Sequence, residues 1–490
     1  MATDSNYDLL INNVRLVRPS QTEVTSGSIG VRDGKIVALG NNLPGTAKKV
    51  VDGRNLLAFP GVVDAHMHTG IYSPLAEDAI SESRAAAQGG VTSSLNYFRS
   101  GQYYLNKGGP YEKFFPEVLE ISEGKFHVDY GYHLAPLDKR HIAEIPMLVE
   151  KFGVTTFKIY MFYGGYGLHG ASSKQHDFLM IADDERYDFA HFEFVMRGVK
   201  DAMKRFPDKA HAISLSLHCE TAEIMNAYTR IVQDEGKLTG LRAYSAARPP
   251  HSEGLAIFIA SYLAHETECV NINLLHLSSR KAVEAALLMA DAFPHINFKR
   301  EVTIGHLVID YDVESGYQAK VNPPIRSRED VEYLWKALID GKIDWVCSDH
   351  ACCRHEMKTD GHDCGEDVFL AKSGFGGSEY LLTAFITEAK KRGLSMQRVA
   401  QLLSGNPAQR FGLSSKGQLE AGFDADIVLV DPDKGYTIHA AESESTQGYT
   451  PFEGIAQTAT VRSTYLRGNL IWDEGSIVGE AKGRYLKRPC

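Results

Sequence analysis

The sequence predicts an α/β protein built on a TIM (β/α)8 barrel, with a small β-sandwich module formed by its N- and C-terminal segments. The central region carries eight short apolar runs, which alternate with segments of helical periodicity. Both ends of the chain instead show short alternating runs joined by turn residues. We therefore expect the module in residues 1–58 and 415–490 and the catalytic barrel in residues 59–414.

The expected barrel strands are short and apolar, as parallel strands buried on both faces should be. They are Val62–His66, Val91–Tyr97, Val128–His133, Thr155–Tyr160, Ile213–His218, Ile272–His276, Ile296–Arg300 and Ile343–Cys347. Segments between them have apolar residues at helical spacing. In SRKAVEAALLMADAF, for example, Ser279 is suited to cap the helix.

The two ends of the chain show the same sequence pattern, short strand-like runs joined by turn residues. Near the N-terminus, DLLINNVRLV and GSIGVRDGKIVALG read as strands, and Asp33-Gly34 stands where a tight hairpin turn is expected. Near the C-terminus, DADIVLVDP and STYLRGNLIWDEGSIVGE follow the same pattern. This similarity indicates that the two ends form one module together.

Composition narrows the classes of function. The 490 residues are 43% apolar and 23% charged, which is typical of a globular protein with a sizeable core. The formal charge of -10 comes without a long basic run, so nucleic acid and anionic membranes are poor candidate partners. A small-molecule substrate is the better expectation.

Two features predict a soluble, cytoplasmic protein. The N-terminal residues show no basic segment followed by an apolar stretch, and no run of about eighteen apolar residues occurs. Seven cysteines, an odd number, do not indicate a disulfide framework.

The stretch HACCRHEMKTDGHDCGED lacks two clean ligand pairs, which favours a mobile loop with reactive thiols over a structural zinc site.

Residues able to bind a metal stand at the ends of the expected strands. They are His66 and His68 on the first, Lys158 in the fourth, His218 on the fifth, His276 on the sixth and Asp349 after the eighth. In a TIM barrel these ends converge on one opening, and two histidines at i and i+2 point to one side. The pattern predicts a shared metal site, although any single histidine could be an ordinary hydrogen-bonded residue.

Lys158 differs from the other candidates because an ammonium group cannot bind a metal. It stands within the apolar and aromatic run TTFKIYMFY, where a free charge is costly. Carboxylation by CO2 would turn it into an anionic ligand with two oxygens, able to bridge two ions about 3.5–4 Å apart. The alternative is an ordinary lysine whose aliphatic chain packs against apolar residues while its ammonium group reaches solvent.

Several motifs occur in the order found in one known superfamily. They are DAHMH, FKIYMFY, LHCE, ARPPHSEG, LLHLSS, VNPPIR, SDHA, GNPAQRFGL, DADIVLVDP and YTPFEG. Over nearly its full length the chain resembles the amidohydrolase superfamily. The similarity is to its cyclic amidase group, which contains hydantoinases, dihydropyrimidinases, allantoinases and dihydroorotases.

This resemblance implies a hydrolase that opens a cyclic amide, such as a hydantoin or dihydropyrimidine ring, by attack of a metal-bridging hydroxide. It also implies two divalent metal ions, zinc first and manganese as the alternative, and a homotetramer or homodimer. One ion would be held by His66, His68 and Asp349 and the other by His218 and His276, with carboxylated Lys158 as the bridge. Tyr163 would support the oxyanion, and Asp349 would carry the proton to the leaving nitrogen.

Departures from the family pattern bear on the substrate. Gly70 replaces an arginine with which dihydroorotases grip a carboxylate, and Asn322 and Ser373 occupy positions that contact the ring in relatives. The aromatic residues Tyr72 and Tyr160 could line an apolar pocket or belong to the core.

Alternatives to this hydrolase remain. Within the group, the chain could be an allantoinase- or dihydroorotase-like hydrolase of another cyclic amide. Other classes are a mononuclear deaminase, which would not need Lys158, and a non-catalytic scaffold like the hydantoinase-like collapsin response mediator proteins. Those scaffolds have lost metal ligands, whereas this chain keeps each of the residues named above.

Overall fold

A computed structural model of the protein describes residues 6–170, 172, 174–361 and 367–490. Within these residues, eight parallel strands form one barrel sheet. In chain order they are Val62–Met67, Val91–Phe98, Asp129–Leu134, Thr156–Tyr160, Ser214–His218, Asn271–Leu274, Asn297–Thr303 and Trp345–Cys347. Each overlaps the strand expected from the sequence, and the predicted TIM barrel is confirmed.

The barrel strands pair in chain order, and the first and last strands approach each other where the sheet closes. Met67 forms a parallel bridge with His350, and the backbone N–H of His68 donates to the carbonyl oxygen of His350 at 2.7 Å. Closure therefore brings the end of the first strand, with its histidines, against the segment that follows the last strand.

Helices connect and cover the barrel strands. The α-helices are Leu75–Gln88, Tyr111–Ser122, Lys139–Met147, Gln175–Leu179, Phe189–Arg205, Ala222–Glu235, Gly240–Ala247, Pro250–Thr267, Arg280–Ala292, Ile304–Val308, Arg328–Ile339, His355–Lys358, Leu381–Lys391, Met396–Ala400 and Asn406–Arg410. Ser279 caps its helix as expected, because its hydroxyl accepts a hydrogen bond from the Ala282 N–H at 3.2 Å. Among the described residues, no helix combines the length and apolar character that crossing a bilayer requires.

Strands from both ends of the chain form the second, β-rich module. In the described ranges its sheet has nine strands: Tyr7–Leu16, Thr25–Arg32, Lys35–Gly40, Ala47–Asp52, Leu57–Pro60, Ile427–Asp431, Thr460–Leu466, Asn469–Asp473 and Ser476–Ile477. The Asp33-Gly34 turn has φ values of 52° and 75°, the left-handed backbone of a two-residue hairpin turn. A separate apolar cluster, which includes Ile11, Ile29 and Ile427, forms the core of this module. The domain boundaries at 58/59 and 414/415 stay predictions.

A buried ion cluster joins the barrel to the module. The ammonium group of Lys416 lies 2.5 Å from Asp129 at the start of the third barrel strand. It also lies 2.8 Å from Asp426 and 3.1 Å from Asp424, just before the first C-terminal strand of the module. Because removing one partner would leave a buried charge uncompensated, this cluster fixes the module on the barrel.

Candidate metal centre

Three donor atoms meet at the mouth of the barrel. The Nε2 atoms of His66 and His68 are 3.2 Å apart, and Asp349 Oδ1 lies 3.1 Å from the first and 3.3 Å from the second. Ligands about 2.0–2.1 Å from a tetrahedral zinc ion lie about 3.3–3.4 Å from one another. The spacing of these three atoms therefore fits ligands of one ion.

Hydrogen bonds to the other ring nitrogens aim the two imidazoles at this point. His66 Nδ1 donates to Glu301 at 2.7 Å, and His68 Nδ1 lies 2.8 Å from the hydroxyl oxygen of Tyr104. With the proton on Nδ1, each imidazole donates to its partner and keeps an Nε2 lone pair for a metal. Burial lowers the pKa of both histidines, which keeps the imidazoles neutral near pH 7, as metal binding requires.

His218 and His276 form a second pair of candidate ligands. Their ring centroids are 4.3 Å apart, and that of His276 lies 5.5 Å from the ring of His66. His218 Nε2 lies 2.7 Å from Glu220 and donates to this carboxylate, which leaves the Nδ1 lone pair for a metal. Burial lowers the pKa of His218 to about 4 and that of His276 well below its usual value. Both imidazoles are therefore neutral.

Unpartnered polar atoms in this cluster support its fit to metal ions. Among the described residues, neither ring nitrogen of buried His276 has a hydrogen-bond partner, and the same holds for Lys158 Nζ. Buried polar groups are normally hydrogen-bonded, so such orphans call for an ion or another missing partner. The donor set of imidazoles and one carboxylate suits zinc or a similar divalent metal.

Lys158 is held in an aromatic and dry environment. The residue is 1% exposed, and its Nζ lies 4.2 Å from the ring centroid of Tyr97 and 4.6 Å from that of Tyr160. Burial lowers the pKa of Lys158 to about 8. About one amine in ten is then neutral at pH 7, which is the form that reacts with CO2.

Two candidate ligands have unusual backbone conformations. His276 has a φ of 28° and Asp349 a φ of 55°, in the left-handed region that residues other than glycine adopt uncommonly, although aspartate, asparagine and histidine do so more often than the rest. Such residues follow barrel strands here and turn their side chains into the barrel mouth. Strain of this kind concentrates at functional sites.

One cavity brings most of the predicted site residues together. It is lined by His68, Tyr72, Lys158, Tyr160, Phe162, Tyr163, His218, His276, Asn322, Asp349 and Ser373. His66 is fully buried beneath it. The residues expected to bind metal, substrate and oxyanion thus share one compartment, which is also lined by the apolar residues Ile71, Leu168 and Val321.

The side chains of Asn322 and Ser373 already contact protein groups. Asn322 accepts from the Tyr244 hydroxyl at 2.5 Å and donates to the carbonyl oxygen of Leu168 at 2.8 Å. The hydroxyl of Ser373 lies 3.3 Å from that of Tyr244, and its backbone N–H donates to His169 Nδ1 at 3.1 Å. These contacts fix the orientation of both side chains at the cavity wall.

Sequence reasoning missed the buried network that leads from one candidate ligand to the pocket. Glu220 accepts from His218 at 2.7 Å and from Arg248 Nε at 3.0 Å. Arg248 Nη1 donates in turn to the Tyr244 hydroxyl at 3.1 Å. The signal was present, because Glu220 and Arg248 belong to the motifs LHCE and ARPPHSEG.

Glu301 was also missed, although it comes directly after the expected seventh strand. Its carboxylate accepts from His66, from Trp345 Nε1 at 2.8 Å and from the backbone N–H of His276 at 3.2 Å. Glu301 thus positions two candidate ligands at once. A charged residue in a strand could have suggested this role.

Cys352 and Cys353, which follow Asp349, do not fit the expectation of reactive thiols. Cys352 and Cys353 are buried, and burial raises the pKa of both thiols. A raised pKa keeps them protonated and weakly nucleophilic near pH 7. Residues 362–366 of the same stretch lie outside the described residues.

Replacing Glu301 by glutamine is expected to weaken metal affinity about 10-fold to 100-fold, as losing an outer partner of a ligand does. The amide keeps the shape, but its NH2 group cannot accept from both His66 and Trp345. Metal affinity is measured by competition with a chelator. Glu474→Gln, an exposed change on the module, is the control, since its side chain is 40% exposed. Parent-like affinity in Glu301→Gln would contradict the role of this carboxylate.

Comparison with known proteins agrees with the site. A model of the amidohydrolase family matches residues 189–471. An allantoinase from Rubrobacter xylanophilus is 31% identical over 487 residues, which is 99% of this chain and 98% of that protein. An allantoinase from Bacillus licheniformis is 29% identical and covers 98% of this chain and 100% of its own. The structure of a dihydropyrimidinase from Brevibacillus agri superposes with a TM-score of 0.83 at 25% identity, covering 98% of each chain.

The barrel and the ligand cluster at its mouth define a class of hydrolases whose members generally use divalent metal ions. This chain belongs to the amidohydrolase family. More narrowly, it belongs to the cyclic amidase group, which acts on the carbon–nitrogen bonds of cyclic amides. The resemblance seen in the sequence motifs is thereby confirmed.

Proposed function

We propose that the protein is a dinuclear metal hydrolase that opens the ring of an uncharged cyclic ureide. The observation that carries this proposal is the convergence of two imidazoles and one carboxylate, with donor atoms 3.1–3.3 Å apart, beside the buried amine of Lys158. Such a set of ligands next to an amine that is partly neutral suits two ions joined by a carbamate.

The first ion would be held by His66, His68 and Asp349, and the second by His218 and His276. Carboxylated Lys158 would bridge the two. Carboxylation joins the neutral amine nitrogen to the carbon of CO2 and releases one proton, so that a cation becomes an anionic ligand. Zinc is the first expectation for both positions and manganese is the alternative.

Bound metal ions would polarise the amide carbonyl and lower the pKa of a bound water. The residues of the chain would handle the protons. Burial opposes ionisation of Asp349, but the adjacent imidazoles of His66 and His68 outweigh burial and lower the pKa of this carboxyl. Asp349 is therefore a carboxylate, which can accept a proton from the attacking water and deliver it to the leaving nitrogen.

Tyr163 would stabilise the charge that develops on the carbonyl oxygen. It lines the cavity, and its ring stacks on that of Tyr160 with centroids 4.7 Å apart. Burial raises the pKa of Tyr163, so its hydroxyl keeps the proton and can donate a hydrogen bond. A donor placed in advance at this position favours the transition state over the substrate. The product is the ring-opened ureido acid.

The pocket favours a ring with an apolar substituent. Ile71, Leu168 and Val321 line it, and the side chains of Asn322 and Ser373 are engaged by protein partners. An anionic substrate such as dihydroorotate is disfavoured because position 70 is a glycine and not the arginine that would grip a carboxylate. This glycine has a φ of 83°, and an added Cβ would lie 3.0 Å from Leu75 Cδ1. Allantoin is the second candidate because two relatives are allantoinases.

The proposal is tested by metal analysis of protein purified without chelator, together with a hydrolysis screen. The ring compounds are hydantoin, phenylhydantoin, dihydrouracil, allantoin and dihydroorotate. We expect about two metal equivalents per chain, hydrolysis of phenylhydantoin or allantoin, and no hydrolysis of dihydroorotate. Chelation should abolish activity, and added zinc or manganese should restore it.

Other outcomes separate the alternatives. Activity with one metal equivalent would overturn the dinuclear assignment. Absence of both metal and turnover would contradict the proposal and favour the scaffold. Preference for allantoin over phenylhydantoin would overturn the argument from the apolar lining but leave the hydrolase assignment intact.

A further inference from the structure

A buried arginine lies near the cavity of the candidate site. Arg99 directly follows the second barrel strand, and it is 1% exposed. Its Nη1 donates to the carbonyl oxygens of Ser100 at 2.9 Å and Gln102 at 3.0 Å. Among the described residues, its buried Nη2 has no hydrogen-bond partner. Two backbone carbonyl oxygens thus hold the guanidinium through Nη1.

The surroundings of Arg99 are aromatic and contain no ion pair. Its Cζ lies 4.7 Å from the ring centroid of Phe178, 5.3 Å from that of Tyr163 and 5.7 Å from that of Tyr104. Within the described ranges, the Arg99 guanidinium forms no salt bridge with a carboxylate. Cation–π contacts offset only part of the cost of burying a charge, so an unpaired arginine here calls for a functional explanation.

The two tyrosines that contact Arg99 lie at the wall of the cavity. Tyr163 and Tyr104 both line the cavity, and the Tyr104 hydroxyl lies 2.8 Å from Nδ1 of His68. Arg99 does not itself line the cavity. Any effect it has on a bound substrate is therefore transmitted by these tyrosines. Burial raises the pKa of Tyr163, and the charge of Arg99 opposes that rise.

We infer that Arg99 is a positioning residue whose fixed positive charge beside the Tyr163 side chain strengthens the hydrogen bond of the Tyr163 hydroxyl to the oxyanion. The inference rests on the proposed function, because it assigns Tyr163 to the developing charge. The proton stays on Tyr163 throughout, and Arg99 forms no bond to the substrate. Its contribution appears only when negative charge develops, that is, in the transition state.

Two substitutions separate the charge of Arg99 from its packing. Arg99→Met keeps an unbranched side chain and removes the charge, whereas Arg99→Lys keeps the charge and loses the planar guanidinium group. We expect Arg99→Met to lower kcat about 10-fold to 100-fold with KM changed less than about 3-fold, and Arg99→Lys to recover most of the loss. Metal content and melting temperature are measured on each variant to show that the fold and the ligand cluster are retained.

A double-mutant cycle identifies the partner through which Arg99 acts. In the Tyr163→Phe background the hydroxyl is gone, so Arg99→Met should reduce kcat less than about 2-fold further. Equal losses in both backgrounds would overturn the inference and show that Arg99 only shapes its loop. A rise in KM with unchanged kcat would overturn it as well, since that would indicate a role in substrate binding.

A measurement without substrate keeps the inference separate from the proposed function. With 3-fluorotyrosine at position 163, the fluorine resonance reports the ionisation of this hydroxyl. Removing the charge in Arg99→Met should move its midpoint upward by about one pH unit, and Arg99→Lys should not. An unchanged midpoint would contradict the inference even in an active enzyme. A shifted midpoint in a chain without hydrolytic activity would support the electrostatic link and count against the proposed function alone. If Arg99→Met does not fold, Arg99→Gln, which keeps a donor for the two carbonyl oxygens, takes its place.

Discussion

Replacing Lys158 by alanine is expected to lower ring hydrolysis by more than about 100-fold, because losing a shared ligand should exceed the loss caused by an outer partner. The amine is buried against two aromatic rings, and no hydrogen-bond partner for it occurs among the described residues. A lysine in that position contributes little to stability as a cation. The proposed function instead makes this lysine an anionic bridge between the two halves of the cluster.

Activity and metal content are measured together for this variant. Lys299→Ala is the matched control, since Lys299 also lies on a barrel strand but pairs with Asp344 outside the cavity. In Lys158→Ala we expect metal loss together with loss of activity, whereas the control keeps both. A Lys158→Ala variant that retained two metals and full turnover would refute the bridging carbamate.

The pKa of Lys158, lowered by burial to about 8, adds a dependence on pH. CO2 reacts only with the neutral amine, whose fraction rises about tenfold per pH unit below that pKa and levels off above it. Reactivation of metal-free protein by metal and bicarbonate should therefore speed up from pH 6 to about 8. Mass spectrometry under native conditions should show the addition of one CO2 per chain in the parent and none in Lys158→Ala.

Replacing Asp349 by asparagine is expected to reduce kcat/KM about 100-fold or more, the usual contribution of a general acid–base group. Asparagine tolerates the left-handed backbone at this position, so the fold should be retained. Its amide cannot carry the proton from water to nitrogen, and it is a weaker metal ligand than a carboxylate. Activity is measured with added metal in excess, so that the chemical role is separated from the loss of affinity.

Asp360→Asn is the matched control for this substitution. Asp360 has a φ of 48°, close to that of Asp349, but it is exposed and pairs with Lys372. The control should keep parent activity. Activity of Asp349→Asn within about tenfold of the parent would contradict the role of Asp349 as a proton carrier.

The fold was readable from the sequence because barrel strands are buried on both faces. Such strands appear as nearly continuous apolar runs, and the observed strands begin within two residues of the expected ones. One difference concerns the end of the sixth strand, which stops at Leu274 rather than at His276. His276 leaves the strand because its backbone turns into the left-handed region, which an apolar pattern does not reveal.

The candidate site was readable only in part. Histidines and an aspartate at strand ends stand out because their residue types and positions repeat around the barrel. Glu301, Arg99 and Glu220 did not stand out, because a single charged residue in a sequence most often lies on the surface. Their burial depends on partners far along the chain, such as Arg248, which lies 28 residues from Glu220. Only the tertiary contacts reveal such pairs.

The left-handed conformations of His276 and Asp349 also bear on how this protein would respond to selection for heat resistance. Each such residue costs on the order of 1–3 kcal/mol, whereas a domain has in total only about 5–15 kcal/mol of stability. Glycine at either position would relieve that cost, because glycine adopts positive φ freely. A programme that ranks variants by melting temperature alone would therefore reward the loss of these two candidate ligands. Thermal screening of this scaffold has to be paired with a metal-binding or turnover assay at every round.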